Sequence, residues 1–161
     1  MSIDPLLQLL RRSGRHSAAE LAERLSTPEE KVREQIAAWE EDGTIVGYQA
    51  VVDPAVTGDQ DVSAFIEVKV TPERGGGFDR LAQRISKFEQ VVSCYLLSGG
   101  YDLLLVVEGK DLMEVARFVS GKLSSMDGVL STATHFRLKT YKENGFAFNG
   151  IEDPERLPVS P

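Results

Sequence analysis

Chemistry in a protein needs groups that converge, and imidazoles and thiols are few here: His16, Cys94 and His135 are the complete set in 161 residues. None stands at the short spacing from another that a metal site, or a nucleophile with its base, requires. Cys94 lies inside the apolar run Val91 to Leu97 with no second cysteine to pair with, so it reads as a small buried side chain. Gly75-Gly-Gly77 lacks the Lys-Ser/Thr of a phosphate loop and opens no nucleotide-binding βαβ unit; it reads as a flexible loop before a helix at Phe78. The expectation is no catalytic residue, no metal and no cofactor. Ser98-Gly-Gly-Tyr-Asp102 sets a carboxylate at the mouth of five apolar residues, Leu103 to Val107. By spacing alone, Gly99-Gly100 is a hairpin turn and Asp102 caps its backbone.

The first 44 residues carry helical periods. Ile3, Leu6, Leu7 and Leu10 recur at i, i+3, i+4 and i+7, which predicts an amphipathic helix ending near Gly14. Ser17-Ala-Ala-Glu20 is a capping box that opens a second helix, with Leu21, Ala22 and Leu25 facing inward. Thr27-Pro28-Glu29-Glu30 repeats the signal, with Thr27 as cap and Pro28 at the first helical position. Helix three carries Val32, Ile36 and Trp39 on one stripe and stops at Gly43, which supplies a left-handed C-terminal conformation. Three helices in about 40 residues, the last two joined by a very short turn, form the pattern of a helix-turn-helix.

Such a motif places its second helix in the major groove of double-stranded DNA, which makes helix three the candidate reading element. Its outward face holds Lys31, Arg33 and Glu34, the last an acceptor for a cytosine amino group. Arg11, Arg12 and Arg15 cluster near the end of helix one, where they suit backbone phosphates. Charge opposes this reading. The chain carries a net −7, and over residues 28 to 42 two cations face six carboxylates, a net of −4. A carboxylate held about 8 Å from a phosphate costs roughly half a kcal/mol in water before screening. Glu29 and Glu30 satisfy the helix dipole and Glu40 to Asp42 lie at the far end, which leaves Glu34 as the awkward charge. Several weak heads tethered in one assembly offset the deficit by raising one another's effective concentration.

Ile45 to Val52 reads as a strand, ended by Asp53-Pro54 and the polar stretch Thr57 to Asp61. Val62, Ala64, Ile66, Val68 and Val70 then alternate with Ser63, Phe65, Glu67, Lys69 and Thr71 at a period of two. Phe78, Leu81, Ala82 and Ile85 give a helix, Val91 to Leu97 and Leu103 to Val107 two strands, Asp111-Leu-Met-Glu114 a capped helix with Leu112, Val115, Val119 and Leu123, and Val129 to Thr140 a last strand. The order β-α-β-β-α-β is that of a ferredoxin-like split unit, so the fold class is α+β. Expected domains are 1–45 for the helix-turn-helix, 46–60 for a connecting strand and linker, 61–142 for the βαββαβ unit and 143–161 for a tail. Two helices cover one sheet face only, yet Leu103 to Val107 is apolar on both faces and Phe65 and Tyr95 add to the open one. A second copy is the natural cover, which predicts an isologous homodimer, sheet against sheet, burying roughly 800 Å² per partner.

The sequence resembles the Lrp/AsnC, or feast/famine, family of bacterial and archaeal regulators. The residues that carry the resemblance are Gly43-Thr-Ile-Val-Gly-Tyr48, Val52-Asp-Pro54, Ser98-Gly-Gly-Tyr-Asp102 and Met126-Asp-Gly-Val129 with Thr132 and Thr134 beyond, in the family's order from about residue 3 to 142. The resemblance implies a winged-type helix-turn-helix, a connecting strand, and a ligand-sensing αβ sandwich that forms dimers and larger assemblies, with amino acids or related metabolites bound between sensing domains. It gives the Gly99-Gly100-Tyr101-Asp102 turn a second role: a nest of N–H groups for the carboxylate of an amino acid, with Asp102 accepting from its ammonium and Thr132 and Thr134 offering hydroxyls.

Two other functions compete. Sirohaem decarboxylases resemble the same family, and a tetrapyrrole's carboxylates need a basic pocket, for which His135, Arg137 and Lys139 alternate on one strand. A helix-turn-helix that contacts protein instead of DNA would suit the acidic helix three. No apolar stretch of 18 residues and no signal-peptide pattern at Met1 to Pro5 is present, so the expectation is a cytoplasmic protein without a membrane partner. In the tail, Phe146 and Phe148 are expected to pack on a partner subunit and the final residues to be mobile.

Overall fold

The computed structural model describes residues 3–53, 61–71 and 77–148. The chain divides into two compact units, Met1–Val51 and Val52–Pro161. In the first, α1 spans Pro5–Arg12, α2 Ala18–Leu25 and α3 Glu29–Glu41. Leu6, Leu10, Leu21, Ala22 and Val32 form its core, closed by Leu25, Ile36, Trp39 and Ile45. The inward stripes of helices two and three fall as expected, whereas in helix one only Leu6 and Leu10 do: Ile3 lies before the first turn and is exposed, and Leu9 rather than Leu7 packs on the core. Helix one starts on a signal in Asp4-Pro5: the Asp4 carboxylate accepts from Leu6 N at 2.8 Å and Pro5 fills the position that needs no N–H. The Ser17 box forms in full, with Glu20 N donating to Ser17 Oγ at 3.2 Å and Ser17 N donating to Glu20 Oε2 at 2.7 Å. The Thr27 box does not form. Pro28 itself stands at the cap of α3, and the Thr27 hydroxyl donates back to Leu25 O at 3.3 Å because α2 ends in a left-handed Ser26 that turns Thr27 toward it.

Helix three ends as expected at Gly43, with φ +77°. The next segment departs from expectation. Residues 44–53 are irregular, not a strand, since no neighbouring strand within the unit offers them a ladder. Residues 44–48 fold back on the helices instead. Thr44 N donates to Asp42 Oδ1 at 2.8 Å, Ile45 N donates to Trp39 O at 2.8 Å, and Tyr48 reaches Glu40, while Val46 is left 95% exposed.

In the second unit β1 spans Val62–Val70, α4 Gly77–Ile85, β2 Val91–Leu96, β3 Leu103–Gly109, α5 Leu112–Phe118 and β4 Val129–Phe136. The four strands are antiparallel in the order β2-β3-β1-β4, which is the expected βαββαβ sheet. Ala64, Ile66, Val68, Leu103, Leu105 and Val107 line its helix-facing side against Leu81, Ile85, Val115, Phe118 and Leu123. Cys94 packs half-buried against this core. Leu112 proves exposed and Phe118 takes its place. A π-helical turn, Val119–Leu123, continues α5: Ser124 N donates to Val119 O at 2.8 Å, five residues back, so Phe118 and Leu123 both face inward.

Both outer strands carry a bulge. Val91 pairs with Val107 and Ser93 with Val106, which leaves Val92 unpaired on β2; Lys69 pairs with Ser131 and Val70 with Val129, which leaves Leu130 unpaired on β4. Strand β4 stops at Phe136, short of Thr140, and a small hairpin follows, β5 at Lys142–Glu143 and β6 at Phe146–Ala147, turning through Asn144 and Gly145 at positive φ. The expectations for the Gly75-Gly76 loop and for the last residues of the tail lie outside the described residues.

Candidate functional site

The candidate DNA-reading surface is the outer face of the helical unit. Lys31 and Glu34 project from α3 into solvent without a partner among the described residues, and so do Arg11 and Arg12 in the last turn of α1 and Arg15 just after it. Arg33 differs: its Nε donates to Glu29 Oε1 at 2.9 Å and its Nη2 meets the same oxygen, so its guanidinium is already engaged one turn back. At the far end of α3, Glu40 accepts from the Tyr48 hydroxyl at 2.8 Å and Asp42 from Thr44. Hydrogen bonds from the Thr44 side chain and amide hold the Asp42 carboxyl below its ordinary value of 3.8. The Tyr48 phenol is pushed up by burial and then by its bond to Glu40 and that group's charge. Two of the three terminal acids that count against a polyanion are thus fastening the segment after α3.

In the second unit the Ser98 to Tyr101 turn is closed by Leu97 N donating to Asp102 O at 2.9 Å, with Gly99 at φ +151°. Asp102 has a definite structural task. Its N–H donates to Val68 O at 3.0 Å and its Oδ2 accepts from Val70 N at 2.8 Å. The carboxylate thereby replaces a strand carbonyl and extends the β1–β3 ladder one step beyond Leu103. Thr132 and Thr134 pair with Val68 and Ile66, whose side chains face the helices, so the two threonines share that side. Thr132 Oγ1 lies 3.3 Å from Ser124 Oγ at the end of the π-helical turn. Gly99, Gly100, Tyr101 and Asp102 sit at the β3 end of the sheet and the threonines on β4, with β1 between them.

The open face of the sheet follows from the pairing register. Val106, Phe65 and His135 lie side by side across β3, β1 and β4, and Tyr95, Leu104, Glu67 and Ala133 make the next row. Phe65 is 36% and Tyr95 51% exposed, as the apolar count on this face requires. His135 Nε2 stands 3.3 Å from Glu67 Oε1. At one end Arg137 reaches Glu108 at 3.8 Å and Glu143 at 3.6 Å, bridging β3 to the β5–β6 hairpin over Ser63, whose hydroxyl is buried without a hydrogen-bond partner among the described residues. Lys139 rests over the Tyr141 ring. The three residues of the tetrapyrrole reading are engaged separately and do not converge. These side-chain pairs were hidden from sequence reasoning because each joins residues that only the register brings together.

A helix-turn-helix head and a βαββαβ unit that covers one sheet face define a one-component regulator: one part reads DNA, the other senses. Residues 63–145 match the Lrp/AsnC ligand binding domain. The HTH-type transcriptional regulator YugG of Bacillus subtilis is 44% identical over 157 residues, 97% of this chain and 95% of that protein. The proline dehydrogenase transcriptional activator of Rhizobium radiobacter is 29% identical over 140 residues, 87% of this chain and 89% of its own. A solved transcriptional regulator of Neisseria meningitidis, in complex with L-Met, superposes with a TM-score of 0.68 at 27% identity, covering 88% of this chain and 94% of that one. The chain belongs to the Lrp/AsnC family of transcriptional regulators. Among the described residues no helix is long and apolar enough to cross a membrane, and no group of three His, Cys, Asp or Glu side chains could hold a metal ion.

Proposed function

We propose that this regulator senses an amino acid or a closely related metabolite between the sensing domains of neighbouring subunits, and that the ligand changes how sheet-paired dimers present their DNA heads. The observation that carries this reading is the open sheet face: the Phe65, Leu104, Val106 and Tyr95 patch is one that a single subunit leaves in water and a twin would cover. The L-Met bound to the Neisseria regulator supports an amino acid as the ligand class here. Because β1 separates Asp102 from Thr132 and Thr134, the effector pocket takes the Gly99 to Asp102 turn from one subunit and the threonines from another. In the head, Lys31 and Glu34 read bases, Arg33 does so after leaving Glu29, and Arg11, Arg12 and Arg15 hold phosphates. The protein acts in the cytoplasm, and catalysis is not part of its task.

The test is selection of genomic DNA fragments by the purified full chain at low and moderate salt, with and without a mixture of amino acids. Enrichment of a common sequence whose affinity shifts with one amino acid is the expected result. By reciprocity that DNA must change the amino acid's affinity by the same factor. No enrichment at either salt sinks the DNA reading and leaves a protein partner; a coloured tetrapyrrole retained on the protein sinks the regulator reading altogether.

A further inference from the structure

The dimer proposed above would bury a carboxylate. Glu67 occupies the middle of the open face, in a row with Tyr95, Leu104 and Ala133, and retains 35% of its side-chain exposure in the single subunit. A second sheet laid on this face removes the remaining water, and a carboxylate among such neighbours is tolerated only when paired. Few groups can serve. On β1 the next residue of the row is Lys69, toward the sheet's end; on β3 the nearest charge is Glu108; on β2 the titratable group is Tyr95; and α4 and α5 pack on the opposite face. Arg137, two residues beyond His135, is committed to Glu108 and Glu143. The imidazole of His135 stands 3.3 Å from Glu67 and is 60% exposed, directly beside Phe65.

We infer that self-association through this face is proton-linked, with Glu67 and His135 of each subunit forming the carboxylate–imidazolium pair that the covered interface needs. The inference rests on the sheet-against-sheet dimer. The sign follows from the chemistry: a protonated His135 neutralises Glu67, whereas a neutral one leaves the carboxylate covered and uncompensated, so covering the pair draws in a proton. Association is therefore tighter in acid and weakens as pH rises. Metabolic acidification would favour assembly without any change in effector.

Sedimentation equilibrium of the full chain at about pH 6 and about pH 8, at fixed ionic strength, reads the linkage directly. The dimer dissociation constant should rise with pH, by about tenfold for each proton whose binding is strengthened by one unit. Glu67→Gln should keep the dimer at both pH values and flatten the difference; His135→Gln should flatten it too, with dimers weaker than wild type at the lower pH. Circular dichroism of both variants checks that the fold is retained. Equal wild-type constants at both pH values, or a Glu67→Gln protein with undiminished pH dependence, would overturn the linkage while leaving the dimer intact. A folded monomer at both values would overturn the dimer, and the linkage with it.

Discussion

The Tyr48 hydroxyl donates to Glu40 Oε1 at 2.8 Å, and the Tyr48 ring lies so close over Gly14 that a Cβ there would come within 2.7 Å of Cδ1. One side chain thus ties the segment after α3 to both the end of that helix and the turn after α1. Gly14→Ala should swing the ring away, and Tyr48→Phe should remove the bond, each at a cost of about 1 kcal/mol in this half-exposed setting. In a double-mutant cycle by urea unfolding the two costs should not add, because both break the same tie. The raised phenol supplies a second readout. Its contribution to stability is full below pH 10.0, the ordinary tyrosine value, and is lost as pH rises through the higher folded-state value. An absorbance titration should show one of the four tyrosines ionising late, and Tyr48→Phe should remove that component.

Asp102 can be tested for two roles at once. Asp102→Ala strands the Val70 amide at the end of the ladder and should cost about 1–3 kcal/mol by urea unfolding. Asp102→Asn keeps an acceptor oxygen and should cost less. If the same carboxylate also meets an effector's ammonium, the Asn variant should stay folded yet lose amino-acid binding in calorimetry. Retained binding would confine Asp102 to its strand-extending task.

The arrangement of charge on α3 ranks the DNA contacts. Lys31 has no partner among the described residues and Arg33 is held by Glu29, so Lys31→Ala should weaken DNA binding more than Arg33→Ala in fluorescence anisotropy. If Lys31 meets a phosphate, the slope of log affinity against log salt should fall by about 1. Glu29→Gln releases Arg33 and removes one charge, and should tighten binding. Normal affinity in the Lys31→Ala, Arg33→Ala double variant would show that another surface touches the duplex.

The capping box at Ser17 gives a pH-dependent stability. The Ser17 amide, with help from its hydroxyl, holds the exposed Glu20 carboxyl below its ordinary value of 4.5. A lowered carboxyl contributes stability above pH 4.5 and loses it as pH falls through the folded value. Ser17→Ala should cost about 1 kcal/mol at neutral pH. The melting-temperature gap between wild type and Glu20→Gln should close as the solution is acidified below that range.

Much of this architecture is legible in the sequence because burial is periodic. Ala64 to Val70 alternates as read, though Ser63, expected outward, is buried, and Leu6, Leu21 and Val32 fall on the inward faces of their helices. Reading fails where a local rule meets a neighbour it cannot foresee. Ile45 to Val52 has the composition of a strand and, among the described residues, no ladder to join. Thr27 has the spacing of a cap, yet the left-handed Ser26 turns its hydroxyl toward Leu25. Phe118 and Leu123 are five apart, outside an α-helical stripe, and a π-helical turn makes them neighbours. The candidate sites were less legible, since a motif gives residue types and the sheet register decides which of them meet: Asp102 finds Val70, His135 finds Glu67, and Arg137 spans from Glu108 to Glu143.

The unpaired Val92 and Leu130 interrupt β2 and β4, the two strands whose far margins have no neighbour within the sheet. An oily sheet with straight margins would recruit further chains rim to rim and grow into a fibre. A kink on each margin spoils that template while the flat side stays available. If two copies pair face to face as proposed, growth is thereby steered toward a closed pair, and an oily face is spared from polymerising without limit.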